Sequence, residues 1–150
     1  MTDYYGLQQS LRALVSGVPY RIANLANAAA LLYGEWPELN WAGFYLLEGD
    51  ALILGPFQGK PACIRIPMGK GVCGTAAARG ETVVVPNVHE FPGHIACDGA
   101  SNSEIVLPIY VGGELFGVLD IDSPIFDRFD ENDRTGLEGI VEILSDALRA

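Results

Sequence analysis

The apolar residues of this chain change period twice, and that change restricts the fold more than any other feature. Leu7, Leu11, Leu14, Val18, Ile22, Leu25, Ala29 and Leu32 recur in steps of three and four, the spacing of one helical face. Gly17 and Pro19 interrupt the series. The pattern predicts two helices, about 3–16 and 19–33, meeting at a kink, the second ended by Gly34-Glu35-Trp36-Pro37. From residue 41 the spacing becomes that of strands. Segments 41–47 and 51–55 flank Gly49-Asp50 as a hairpin, 64–66 is a short strand closed by Pro67, and 82–85 is a buried strand stopped by Pro86. Between the last two, 71–79 reads as a short helix ended at Gly80. Segments 105–111 and 115–121 form a second hairpin about Gly112-Gly113. Helical spacing then returns with Leu137, Ile140, Val141, Leu144 and Leu148, capped by Asp130 or Asn132. Helices at both ends around antiparallel hairpins make this an α+β chain.

At 150 residues, with 49% hydrophobic and 19% charged side chains, the expected organisation is one domain spanning residues 1–150 with a packed core and no need of disulfide staples. The net charge of -10 repels nucleic-acid backbones and anionic membrane surfaces but suits a cationic or zwitterionic small ligand. No leader and no run of about 20 apolar residues is visible, so the expected location is the cytoplasm. Three cysteines, Cys63, Cys73 and Cys97, suit neither a secreted disulfide framework nor a four-cysteine zinc site. In a reducing compartment such thiols are inert core residues or chemistry.

Residues 87–102 fit no element, and a sixteen-residue loop in a compact domain is usually functional. Cys97 lies in it, among His89, His94, Asp98 and Glu104. Cys73 follows Gly69-Lys70-Gly71 at a predicted helix start, where the helix N-terminus and lysine would favour a thiolate; a small side chain packed against the sheet is the plainer reading. Cys63 opens a predicted strand after Lys60-Pro61. Asp120 and Asp122 fall on one face of the last strand, a costly pairing unless a cation or proton is shared. A regular two-residue turn at Gly112-Gly113 pairs residues whose numbers sum to 225, which sends Glu104 to the opposite face. For Glu104 to join the aspartates, the first strand must start later or carry a bulge near Pro108. Gly55-Pro56-Phe57-Gln58-Gly59-Lys60-Pro61 imitates a phosphate loop but has the wrong spacing and lacks its Ser/Thr. His89, His94 and Cys97 match no standard zinc spacing, and no protease signature is present. No metal and no cofactor is expected.

Four motifs together, Asn40-Trp41-Ala42-Gly43-Phe44-Tyr45, Gly69-Lys70-Gly71-Val72-Cys73-Gly74, His94-Ile95-Ala96-Cys97-Asp98 and Leu119-Asp120-Ile121-Asp122-Ser123, resemble those of the free methionine-(R)-sulfoxide reductases, stand-alone members of the GAF domain fold. The similarity runs over nearly the whole chain, with the family's cysteine spacing of ten and twenty-four residues and a Ser-Asn-Ser-Glu run after Cys97-Asp98. The resemblance implies a six-stranded antiparallel sheet, helices packed on it, and an enclosed pocket under the long loop. It further implies Cys97 as nucleophile, Cys63 as resolving thiol and Cys73 as an alternative or accessory partner. Trp41 and Tyr45 would wall the pocket, and Glu104, Asp120 and Asp122 would be its polar groups.

The chemistry so implied accounts for the composition. Clustered carboxylates can hold the substrate's ammonium, and one kept protonated can donate to the sulfoxide oxygen. A Cys97 thiolate would attack sulfur, methionine would depart, and Cys97, left as sulfenic acid, would condense with a second thiol to a disulfide. The implied partners are free methionine sulfoxide, thioredoxin or another dithiol reductant and, as an option the sequence leaves open, a second copy in a homodimer; nucleic acid and membrane are not among them. The rival expectation is a GAF module that senses a metabolite or nucleotide without turnover. It leaves the three thiols unexplained and would need an output domain that the chain does not show.

Overall fold

The computed structural model describes residues 2–95 and 97–149. Two helices, α1 (Tyr4–Val15) and α2 (Arg21–Glu35), precede strands β1 (Trp41–Glu48), β2 (Ala51–Gly59) and β3 (Arg65–Pro67). Helix α3 (Gly71–Arg79) leads to β4 (Val83–Val85), then β5 (Ser103–Val111), β6 (Glu114–Ser123) and α4 (Glu131–Ala147). The strands form one antiparallel sheet in the order β3-β2-β1-β6-β5-β4. The expected α+β class, element order and six strands are all present.

Because side chains alternate along a strand, the sheet separates two apolar clusters. On one face Ala42, Phe44, Ile105, Leu107, Leu119 and Ile121 pack against α1, α2 and α4. On the other, Trp41, Tyr45, Val106 and Val118 pack against Val72, Cys73, Ala76 and Ala77 of α3. The first cluster is the main store of buried apolar surface; the second is smaller and carries the polar groups described below.

Three sequence expectations need correction. Strand β2 runs on to Gly59 rather than stopping at Gly55, because a register shift opposite Gly43 and Tyr45 lets it pass Pro56. The stretch that imitated a phosphate loop is therefore largely strand. Cys63 lies in the link between β2 and β3 and does not open a strand, since β3 starts at Arg65. Segment 82–85 is an edge strand, β4, with Val83 and Val84 only half-buried and Val85 buried. Of the two candidate caps, Asp130 holds α4: its side chain accepts from the Asp133 amide, and the Asp133 side chain accepts in return from the Asp130 amide.

Asp133 is also buried, and its Oδ1 accepts from the Tyr4 hydroxyl at 2.7 Å, tying α1 to α4 across the chain. The two helices meet at Gly136, where any Cβ would strike the Tyr4 ring. Tyr4→Phe removes the donor and leaves a buried carboxylate oxygen short of a partner. The expected cost is about 1–3 kcal/mol, at roughly 2–4 °C of Tm per kcal/mol for a chain of this size. A thermal scan that shows no loss would separate this contact from the stability of the helical layer.

Candidate active site

The hairpin of β5 and β6 places the acidic residues. Gly112 and Gly113 turn it with φ of 60° and 82°, the left-handed pair that a tight hairpin turn requires. Near the turn Val111 faces Glu114 and Tyr110 faces Leu115, but Ile109 faces Gly117. Phe116 is thus the extra residue. The bulge that the geometry demanded exists, and it sits in β6 beside the turn rather than in the first strand near Pro108. Beyond it every pair is shifted by one, so Glu104 faces Asp122 and Val106 faces Asp120. All three carboxylates thereby share the α3 side of the sheet. On the other flank β1 pairs Trp41 with Asp122 and Tyr45 with Val118, bringing both aromatic rings to that side.

These elements enclose a pocket lined by Trp41, Tyr45, Glu104, Asp120 and Asp122, with Val72 and Cys73 of α3 on one side. The long loop closes it with His94, Ile95, Cys97, Asp98 and Ser101. Every residue assigned to the site from sequence is therefore at this pocket, with Cys63 at its edge. Ala96 of the Cys97 motif lies outside the described residues. The Trp41 and Tyr45 rings stack at 5.8 Å, and Phe57 stacks on Trp41 from behind at 5.2 Å. The polar end of each ring reaches the segment before β3. Trp41 Nε1 donates to the Lys60 carbonyl at 3.1 Å, and the Tyr45 hydroxyl donates to the Cys63 carbonyl at 2.9 Å. Those bonds bring Cys63 to the loop, where Cys63 and Cys97 form a disulfide with Cα atoms 5.4 Å apart. Cys73 is free and buried beneath the carboxylates.

Electrostatically the site is short of positive charge. Asp120 Oδ1 and Asp122 Oδ1 are buried with no hydrogen-bond donor among the described residues. Burial, then the charges of Asp120 and Asp122, push the Glu104 carboxyl well above its ordinary range. Burial, then Asp120, does the same to Asp122, although Ser101 Oγ donates to its Oδ2 at 3.1 Å. The Cys73 thiol is pushed up by burial and by the same acids, so it is no thiolate here and the activation by helix and lysine considered from sequence does not operate. One atom each of Cys73, Glu104 and Asp120 lie within 4.8 Å of one another, a donor set that could accept a cation. An ammonium group meets the same need.

His94, Asn40 and Ser101 were given no role from sequence. His94 Nε2 lies 3.9 Å from Glu104 Oε1. Burial and the nearby His89 lower its pKa despite the pull of Asp120, so at neutral pH it is an uncharged imidazole. His89 instead bonds Asn102 Oδ1 at 2.9 Å, so the two histidines do not converge with Cys97. Asn40 Nδ2 donates to Asp98 Oδ2 at 2.9 Å and to Ser101 Oγ at 3.0 Å, which anchors the loop after Cys97 to the start of β1. Asn40 and Ser101 stand inside recognisable motifs, but only the folded loop reveals their contact.

The carboxylates give a pH test. Between the ordinary carboxylate range and the raised values of Glu104 and Asp122, the folded chain binds more protons than the unfolded one. Their contribution to stability is therefore full at low pH and is lost as pH rises through that window. Glu104→Gln, a permanent mimic of the protonated acid, should raise Tm by roughly 2–8 °C at pH 8, at about 2–4 °C per kcal/mol, and change it little at pH 4. An equal shift at both pH values would show that Glu104 is not held protonated by its neighbours.

A family model described as GAF domain matches residues 7–148. The free methionine-R-sulfoxide reductase of Escherichia coli is 55% identical over 148 residues, 98% of this chain and 90% of that protein. Among solved structures, fRMsr of Staphylococcus aureus in complex with substrate superposes with a TM-score of 0.95 at 53% identity, covering 99% of this chain and 97% of that one. The free methionine-R-sulfoxide reductase of Neisseria meningitidis, also in complex with its substrate, superposes at 0.94 with 43% identity, covering 99% and 92%.

Proposed function

Because the chain belongs to the GAF family and, within it, to the free methionine-(R)-sulfoxide reductases, we propose that it reduces free methionine sulfoxide to methionine by thiol chemistry. The observation that carries the reading is the Cys63–Cys97 disulfide at the mouth of a pocket whose buried carboxylate oxygens lack a cation. The zwitterionic substrate supplies that cation as its ammonium, while Trp41 and Tyr45 receive its apolar arm.

Cys97 faces the pocket and acts as nucleophile on the substrate sulfur. The sulfoxide oxygen accepts a proton from the cluster, where burial and the neighbouring Asp120 strengthen the hold of Glu104 and Asp122 on one. Methionine leaves, Cys97 is left as sulfenic acid, and the Cys63 thiol condenses with it, releasing water and forming the disulfide. Cys73, buried under the acids, is an accessory thiol. Thioredoxin or another dithiol restores the two thiols, and no metal or cofactor enters. A reducing, cytoplasmic setting suits a disulfide that is made and opened in each cycle; no described helix is long and apolar enough to cross a membrane. Residues 1–150 work as one GAF unit, with a homodimer compatible with this scheme.

Incubation of the purified chain with methionine sulfoxide and a dithiol should release free methionine catalytically. Saturable binding without methionine release would identify a sensing module instead.

A further inference from the structure

We infer that Ile64, next to Cys63, and Ile95, two residues before Cys97, form the docking surface for the protein that reopens the disulfide, and that this protein is a dithiol reductant with an apolar, acidic rim which attacks Cys63. The inference rests on the reductase reading only in taking the disulfide to be one that is reopened in each cycle. Ile64 is 73% exposed, more than any other large hydrophobic side chain among the described residues, and it directly follows Cys63. Ile95, 36% exposed, precedes Cys97 by two residues and rests against Gly71. What sets these two apart from the other exposed apolar side chains is their place, one near each half of the disulfide, where a partner that opens it must make contact.

Charge points the same way. Residues 51–80 contain Lys60, Arg65, Lys70 and Arg79, including both lysines of the chain, and no acid, although the whole chain carries -10. Arg65 meets Asp50 at 3.4 Å, while Lys60 and Lys70 are exposed on either side of Cys63 in the sequence. This is the basic island of an acidic protein, and it selects an acidic partner while the remaining surface repels one.

The sulfur attacked follows from the pocket. Cys97 lines it and Cys63, half-buried in the link before β3, does not, so attack at Cys63 is the one that frees the sulfur facing the pocket. The partner's thiolate attacks Cys63 Sγ, the Cys63–Cys97 bond breaks, and Cys97 leaves as a thiolate inside the pocket, where it acts next. The partner's second thiol, losing its proton to solvent, attacks the mixed disulfide and releases Cys63 as a thiolate that takes up a proton. The partner departs with a disulfide and this chain keeps both electrons.

Reduction of the disulfide is read by counting alkylated thiols, with thioredoxin or dithiothreitol as reductant. In Ile64→Asp, thioredoxin should act at least 10-fold more slowly than on the native chain and dithiothreitol within 2-fold, with Ile64→Leu restoring the thioredoxin rate. A thioredoxin lacking its second cysteine should be trapped on Cys63. An unchanged thioredoxin rate in Ile64→Asp, equal slowing by both reductants, or trapping on Cys97 would overturn the inference. The readout involves no sulfoxide, so failure of the reductase activity itself would appear separately, as absent methionine release from a chain whose disulfide is still opened.

Discussion

Cys97→Ser should release no methionine from free methionine sulfoxide, not even one equivalent per chain, a loss of at least ~1000-fold against the native enzyme, as expected when a nucleophile is removed. Cys63→Ser should behave differently. It keeps the thiol that faces the pocket, so a reduced sample should still give one burst of about one equivalent and then lose most thioredoxin-driven turnover. The contrast follows from the placement of the two sulfurs, one lining the pocket and one held at its edge by the Tyr45 and Trp41 hydrogen bonds. Rapid-quench measurement of methionine against enzyme concentration decides it. A burst from Cys97→Ser would transfer the nucleophile's role to one of the two remaining thiols, of which Cys73 lines the pocket and Cys63 does not.

The second large effect concerns the form of the substrate. Methionine sulfoxide within a peptide, or its N-acetyl derivative, has a neutral amide where the free amino acid has an ammonium. The pocket holds Glu104 and Asp120 almost fully buried and Asp122 half-buried, with one oxygen of each aspartate lacking a donor among the described residues. Losing a charge-assisted contact costs about 1.5–3 kcal/mol, and leaving buried charge uncompensated costs more. N-acetyl-methionine sulfoxide should therefore be turned over at least ~100-fold less efficiently, since each 1.4 kcal/mol is tenfold. Comparable kcat/KM for the two substrates would show that the carboxylates do not read an ammonium, and the basis proposed for specificity would fall.

Most of the architecture could be read from the chain, because its elements are marked by strong periodicity. The steps of three and four from Leu7 to Leu32 place α1 and α2, and Asp130 marks the start of α4. The ends of strands are less legible. Pro56 argues against a strand, yet β2 continues past it, since a register shift absorbs the missing donor. Asp120 and Asp122 were placed on one face by period alone, and the structure agrees. Glu104 could not be placed that way, because its face depends on a residue twelve positions later, Phe116, which nothing local identifies as a bulge. The neighbours of the loop were hidden for a related reason. Asn40 and Ser101 are 61 residues apart, and His94 meets Glu104 only once the loop has closed over the sheet.

That bulge has a consequence for how such a pocket can be inherited. Were Phe116 drawn into the ladder instead of bulging out of it, pairing beyond the turn would follow the 225 sum, and Glu104 would point into the helical layer that Ile105 and Leu107 now fill while Asp120 and Asp122 stayed where they are. Every functional side chain would still be encoded, but the acid triad would be dismantled and a carboxylate forced into hydrocarbon. The chemistry therefore depends on parity as well as on residue identity. A single residue gained or lost between Glu104 and Asp120 keeps the three acids together only where a bulge takes it up, as at Phe116; in the regular ladder it divides them. In this hairpin a descendant lineage can replace many side chains one at a time, but it can gain or lose a single residue only at a bulge.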